Sequence, residues 1–364
     1  MKIFFIQTAS LIDQVVKKDI NFLRSLSYEE ILSKYCKFGF FSLFGLDRNN
    51  LFETNDDILI FSNVANSKYI QTKWAKENSF EYNEKNWLNE ILAAQIEYFQ
   101  PDVVYTGNYI LFDKKVKRYL PKAKLYALWN ASPMQKNINL SHFDVGLSFN
   151  SVYLDILLDK GINNVEKNTF YIDPNIKNRL KAMNFTKDID ISFVGRYAPM
   201  FKDRNQFLYD VYSTFKNKYN VKYYLLTHKR FRGLFPVIPW KLLRAYKKPV
   251  FLEEMFKVYA RSKIILNSHS NITGEHKGNM RVFEVLGSGS FMLSDHGVYP
   301  PYLEEGKDYV TYKNNHDMID KIEYFLKNDK EREEIGNNGH AKVAKHYSTE
   351  TGTKNLKKIF AKYL

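Results

Sequence analysis

At 364 residues, with 45% drawn from Ala, Val, Ile, Leu, Met, Phe, Trp, Tyr and Cys, the chain can bury a large core and is long for a single domain. One cysteine, Cys36, excludes an internal disulfide, and no Cys/His cluster has the spacing of a structural zinc site, so a reducing cytoplasm is the expected compartment. The formal net charge of +14 favours anionic partners, but the basic residues are dispersed and no nucleic-acid motif is present, which argues against a nucleic-acid partner.

The chain opens on "KIFFIQ", an apolar strand. Gln7 and Asp13 interrupt the apolar character beyond it, making a poor signal peptide and a good first strand and helix. The densest apolar run, "FGFFSLFGL" at 38 to 46, is too short to span a bilayer, so a soluble chain is expected. Further strand-like runs lie at "DDILIFSN", "PDVVYTG", "KLYALWN" and "FDVGLSF", with the helical pattern "NEKNWLNEILAAQIEYFQ" among them. This is the alternation of a parallel sheet with crossover helices.

Between 170 and 188, "FYIDPNIKNRLKAMNFTKD" reads as a linker, and then the alternation restarts. "DIDISFVGRY" is a strand closing on a glycine, "DRNQFLYDVYSTFKNKY" an amphipathic helix, "VKYYLLTH" a strand, and "EEMFKVYARSKIILNSHS" a helix running into a strand. A helix across "NMRVFEVLG", strands at "SFMLSD" and "DYVTY" and two charged helices complete the series. The expected fold is α/β, two tandem Rossmann-like doubly wound domains with a cleft between them.

In open parallel sheets ligands bind beyond the carboxyl ends of the strands. In the second series that rule selects Gly195 and Arg196, Thr227 and His228, Asn267 with Ser268 and His269, and the stretch from Arg281 to Gly289. Glycine admits backbone N–H groups close to a diphosphate, a helix N-terminus adds a favourable dipole, and Arg offers a forked donor; a glutamate would accept from ribose hydroxyls.

The linked stretches "DISFVGR", "VYARSKIILNSH", "NMRVFEVLGSGSFMLSD", "YLEEGKDYVTY" and "DKIEYFLKNDKEREEIGNNGHAKVAKHYS" resemble, in order and spacing, the C-terminal domain of GT-B glycosyltransferases, most closely the group 1 type related to CgeB-like proteins. The resemblance implies an acceptor-binding domain over 1–175, a nucleotide-sugar-binding domain over 188–345, and a helix over 346–364 that crosses back to the first. It implies that Glu284 holds the donor ribose, that Arg281 helps to neutralise the diphosphate, and that Gly195 and Arg196 lie under the phosphates. Arg204, Thr227, Asn267 and Gly289 complete the expected donor site, with Lys202 a further cation. Many retaining members carry two glutamates one residue closer together than Glu275 and Glu284, which leaves the stereochemical outcome open.

Blander readings stand beside these. Arg281 and Glu284, three residues apart, suit a solvated helical pair, and Gly287 and Gly289 suit a helix end. Asp13 and His269 are candidates for the base that deprotonates the acceptor; Asp13 equally suits a helix cap, and His269 a hydrogen-bonded structural residue. Alanine at Arg281 or Glu284 is expected to weaken nucleoside diphosphate binding with the fold intact.

Residues 227 to 249, "THKRFRGLFPVIPWKLLRAYKKP", interleave seven Lys or Arg with aromatic and aliphatic residues, which suits either an anionic membrane surface or a loop covering the core. The expected activity is sugar transfer from a nucleotide-sugar to a hydroxyl of a glycan or lipid-linked acceptor in bacterial surface polysaccharide synthesis. No metal or other cofactor is expected, since no clustered carboxylates have metal-ligand spacing, and the expected place is the cytoplasm or its membrane face. The alternatives are a nucleotide-sugar epimerase of the same architecture, or a non-catalytic protein that binds nucleic acid or a membrane surface.

Overall fold

A computed structural model describes residues 1–7, 12–36, 58–110, 120–227, 229–230, 235–269 and 274–364. The apolar run at 38 to 46, with His228 and Arg232, lies outside them. The chain divides into two compact units, Met1–Phe170 with Thr349–Leu364, and Tyr171–Ser348.

The first unit is built on six parallel strands, β1 Lys2–Gln7, β2 Leu59–Val64, β3 Val103–Thr106, β4 Leu125–Trp129, β5 Val145–Ser148 and β6 Val165–Lys167, in the order β2-β1-β3-β4-β5-β6. Strands β3, β4 and β5 are buried along their whole length, so they read as continuous apolar runs without alternation. Helices Ile12–Leu23, Tyr28–Cys36, Lys68–Glu77, Trp87–Phe99 and Ser151–Asp159 flank the sheet. The helix at 151 starts where it does because the Asn150 side chain accepts from the Tyr153 N–H at 3.1 Å. The terminal helix Thr349–Ala361 belongs to this unit. Phe360 meets Tyr105 of β3 edge-on at 5.5 Å, and Lys362 pairs with Glu166 of β6 at 2.7 Å.

The second unit repeats the plan with β7 Ile189–Arg196, β8 Val221–Leu226, β11 Tyr246–Lys247, β12 Ser262–Leu266, β13 Met292–Asp295 and β14 Val310–Tyr312, all parallel, in the order β11-β8-β7-β12-β13-β14. A two-residue hairpin, β9 Lys229–Arg230 with β10 Phe235–Pro236, stands apart from the sheet. The core joins Phe193, Tyr223, Ile264 and Leu293 from the strands to Phe207, Leu208, Ile322 and Phe325 from the helices Lys202–Phe215 and Asn315–Lys327. Each large apolar side chain so buried contributes roughly 1.5–3 kcal/mol.

The stretch read as a linker contains a helix, Ile176–Ala182. Its apolar signal is only Ile176 and Leu180, both buried, while Arg179 ties back to Asp173 at 2.6 Å. Two short edge strands, β6 and β11, also have no apolar run to mark them.

Candidate functional site

In the second sheet β8 and β11 lie to one side of β7, and β12, β13 and β14 to the other, so the chain reverses direction between β7 and β12. Crevices for ligands open beyond the carboxyl ends of the strands at such a point. The strand ends are level there: Arg196 of β7 pairs in register with Leu226, and Asp295 of β13 with Tyr312 of β14. A pocket of about 350 Å³ opens beyond them. It is lined by Met200 to Arg204 after β7, Ser268 and His269 after β12, Asp295, and Tyr312 to Asn315. The helices Lys202–Phe215 and Asn315–Lys327 both begin at this pocket, so two sets of helix N–H dipoles favour negative charge in it.

Arg204 is the best-anchored cation in the lining. Its Nη2 donates to the Ser268 carbonyl at 2.8 Å, and its guanidinium lies 4.2 Å from the centre of the Phe201 ring and 6.0 Å from that of Phe193. Its Nε is buried and has no hydrogen-bond partner among the described residues. Burial pulls the guanidinium below the ordinary arginine value, Asp295 acts the other way, and Arg281 adds like-charge repulsion. An arginine remains charged through such a shift, so Arg204 brings a fixed positive charge with an unused donor.

His269 is held by Asp295. Its Nδ1 lies 2.7 Å from Asp295 Oδ1, and the same oxygen accepts from the His269 backbone N–H at 3.1 Å. Lys277 Nζ reaches Asp295 Oδ2 at 3.0 Å. Lys277 is delivered there because residues 275–277 pair with Val298: Lys277 N–H donates to the Val298 carbonyl at 2.8 Å and Val298 N–H to the Glu275 carbonyl at 2.7 Å. That approach requires Gly297, where a Cβ would stand 2.5 Å from the Glu275 oxygen. Burial alone would raise the Asp295 pKa, but the hydrogen bond and charge of His269, then Lys277, outweigh it and hold the carboxyl well below the usual carboxylate range.

Arg281 and Glu284 lie on the helix Met280–Gly287 and pair at 2.9 Å, as their spacing allows. The pair is not solvated. Glu284 is 5% exposed, and the Arg281 guanidinium also donates to the Tyr259 hydroxyl and approaches Met255 Sδ at 3.1 Å, both on the helix Leu252–Arg261. Burial works against the charge on Arg281, but Tyr259 and Glu284 outweigh it and raise its pKa; burial also pushes Glu284 up from its ordinary value, with Arg281 opposing. Neither residue lines the pocket.

The other expected residues are dispersed. Asn267, buried, exchanges side-chain hydrogen bonds with Asn279 at 3.1 and 3.3 Å and donates to Ser294 Oγ at 3.1 Å. Asn279 in turn caps the helix at 280 by accepting from the Val282 N–H at 3.3 Å. Thr227 donates to the Val237 carbonyl at 2.9 Å, anchoring the basic segment. Gly195 packs against the Phe193 ring, and Arg196 is exposed at the end of β7. Gly289 sits just past the helix end at φ +74°, with its N–H on the Leu286 carbonyl at 2.9 Å and the Lys177 side chain against it, so the helix-end reading accounts for it. Asp13 is in the helix Ile12–Leu23, and its side chain lies outside the described residues. The residues not anticipated are Asp295 and Lys277. Asp295 ends a strand and so falls under the strand-end rule, whereas nothing local marks Lys277.

Residues 206–358 match the family model described as Glycosyl transferase-like. The fold is similar to that of Anabaena HepE solved in complex with UDP-glucose, at 10% identity and a TM-score of 0.58 over 100% of both chains. It is also similar to a glycosyltransferase from Rickettsia africae, at 11% identity and a TM-score of 0.54 over 100% of this chain and 98% of that one. A third similar fold is the sucrose-phosphate synthase of Thermosynechococcus elongatus, at 10% identity and a TM-score of 0.53 with the same coverage. No curated protein sequence matches the chain. At such identities the likeness is one of fold, the two-unit α/β architecture expected from the sequence.

Proposed function

We propose that this protein is a nucleotide-sugar-dependent glycosyltransferase of the group 1, CgeB-like type, whose second unit holds the donor. The observation that carries the reading is the pocket at the reversal point of the second sheet, where Arg204, Lys202 and two helix N-termini meet. The match over residues 206–358 to a glycosyl transferase-like model and the fold shared with a UDP-glucose-bound protein support it.

In the reaction the bond between the anomeric carbon and the diphosphate oxygen breaks, the acceptor oxygen bonds to that carbon, and the acceptor proton leaves with a base. Negative charge grows on the diphosphate as the sugar becomes oxocarbenium-like. Fixed cations and oriented dipoles stabilise that charge without reorganising. Arg204 is suited to this, with Lys202 in the pocket lining and Arg196 exposed at the end of β7 as further cations; Glu284 would accept from the donor ribose and Arg281 would help to neutralise the diphosphate, both from outside the lining of this pocket. His269 and Asp13 remain the candidates for the base.

The experiment is a thermal-shift screen of UDP, GDP, TDP and CMP, with product analysis using the sugar nucleotide of the best ligand. A nucleoside diphosphate should raise the melting temperature and its sugar nucleotide should yield a glycosylated hydroxyl acceptor. No stabilisation by any of them would sink the proposal, and isomerised sugar nucleotide formed without acceptor would turn it into the epimerase. Because the fixed cations perform the neutralisation, transfer should persist in EDTA; loss to the chelator with recovery on adding magnesium or manganese would show that they do not suffice.

We further propose a lipid-linked acceptor or surface polysaccharide precursor at the inner face of the cytoplasmic membrane. Among the described residues no helix is long and apolar enough to cross a membrane, so contact would be made at the surface. In the basic segment Leu242 is fully buried and anchors a short 3-10 turn, on which Trp240 is 76% and Leu243 52% exposed. Lys241, Arg244, Lys247 and Lys248 flank them and are exposed. Each such cation near an anionic surface contributes roughly 1 kcal/mol. The protein should sediment with vesicles rich in phosphatidylglycerol, come off as salt rises, and bind at least tenfold more weakly when Trp240, Lys241 and Arg244 are replaced together. Equal binding to neutral vesicles, or none to either, would leave a soluble acceptor.

A further inference from the structure

We infer that anion binding in the second-unit pocket is coupled to protonation of His269, and that Asp295 is the positioning residue which aims the Nε2 of that ring at the ligand. The inference rests on the proposal that this pocket receives the donor diphosphate.

The His269 side chain is 3% exposed, yet its Nε2 has no hydrogen-bond partner among the described residues, and the residue lines the pocket. A buried polar atom without a partner is costly and calls for one. Its other nitrogen is committed. Asp295 Oδ1 accepts at 2.7 Å, and Asp295 stays an ionised carboxylate because Lys277 and the His269 backbone N–H donate to it as well. An ionised carboxylate can only accept, so Nδ1 carries the hydrogen. Nε2 is then an acceptor in the neutral ring and a donor in the cationic one.

What Nε2 meets decides between the two. On the Asp295 side the ring faces that carboxylate and Lys277, with Tyr299 edge-on at 5.8 Å. Burial pushes the hydroxyls of Tyr299 and Tyr312 far above the ordinary tyrosine value, so both stay neutral. Across the pocket stand Arg204, Lys202 and Lys313, with Asp203 as the carboxylate among them. The diphosphate of a nucleotide-sugar, esterified at both ends, offers only acceptors, so it satisfies Nε2 only when the ring has taken a proton. Asp295 then balances the imidazolium from behind. Anion binding and protonation of Nε2 therefore favour each other, and the resulting N–H is directed at the oxygens where leaving-group charge would grow, which takes His269 out of the role of base and leaves it to Asp13.

The test uses the full chain and inorganic pyrophosphate as the probe, titrated calorimetrically in two buffers of different ionisation enthalpy between about pH 6 and pH 8.5. An imidazole that gains an anionic partner favours binding at low pH and loses that contribution as pH rises, so affinity should fall as pH rises and the two buffers should give different binding enthalpies, the sign of net proton uptake. His269→Gln should abolish the extra uptake and flatten the slope, leaving only the ionisation of the probe itself, which is common to both proteins. Asp295→Asn should do the same while still binding pyrophosphate. The same uptake and slope in wild type and His269→Gln would overturn the coupling. Pyrophosphate that fails to bind while UDP stabilises the protein would overturn the inference and leave the donor reading standing. Failure of both ligands would remove the two together.

Discussion

Alanine at either Arg281 or Glu284 is expected to destabilise the second unit by about 3–5 kcal/mol, because each substitution strands the other charge in a buried setting. Glu284 lies 5% exposed with Arg281 at 2.9 Å, and the guanidinium is wedged against Tyr259 and Met255. Removing the carboxylate leaves that guanidinium with a phenol and a thioether. Removing the guanidinium leaves a buried carboxylate whose pKa burial already raises. Urea unfolding of the full chain, read at the transition that reports the second unit, measures the cost. The double replacement Arg281→Met with Glu284→Leu takes away both charges at similar volume and should come close to neutral. Single variants within about 0.5 kcal/mol of wild type would mean that the pair is solvated after all, as its spacing on a helix first suggests. A loss of about 3–5 kcal/mol would revise the expectation that alanine probes donor binding on an intact fold, and Glu284→Gln, which keeps the volume, is the better probe of a ribose contact.

That revision shows where the sequence stops being informative. Spacing determines that Arg281 and Glu284 meet, but the Arg281 guanidinium is covered by Met255 and Tyr259 of the helix Leu252–Arg261, which the local pattern around 281–284 does not reveal. The sheets were legible because central parallel strands are buried on both faces, and "DISFVGR" or "KLYALW" betray that without help. Edge strands were not: Val165–Lys167 and Tyr246–Lys247 are too short and too polar to be distinguished from loops. The helix Ile176–Ala182 was hidden for a similar reason, with two apolar residues inside a stretch full of Asn and Lys. In the pocket, His269 is legible because it lies just past a strand end, whereas Arg204, inside the helix Lys202–Phe215, is reached only through the family resemblance. The contact of Lys277 with Asp295 is not legible, since it depends on the pairing of residues 275–277 with Val298 and on the close approach that Gly297 permits.

Of the residues at that pocket, Arg204 should have the largest effect on chemistry. Its guanidinium is fixed on three sides by the Ser268 carbonyl and the rings of Phe201 and Phe193, and the unpaired Nε leaves donor capacity directed at no protein atom among the described residues. A cation held so firmly does not have to reorganise as charge builds on the leaving diphosphate, and removing one preorganised donor of that kind ordinarily lowers kcat by about 10²–10³, or roughly 2.7–4 kcal/mol. Arg204→Met should therefore reduce kcat and kcat/KM together by that factor, the pattern of an interaction realised in the transition state. Arg204→Lys should recover only part of the rate, because a lysine ammonium keeps the charge but cannot hold Ser268 and present a second N–H in the same plane. Losing the hydrogen bond to Ser268 should itself cost only about 1 kcal/mol of stability, so a melting curve separates damage to the fold from damage to the chemistry. A variant that raises KM with kcat unchanged would make Arg204 an anchor for the bound donor, and the stabilisation of the leaving group would then fall to Lys202 and Arg196.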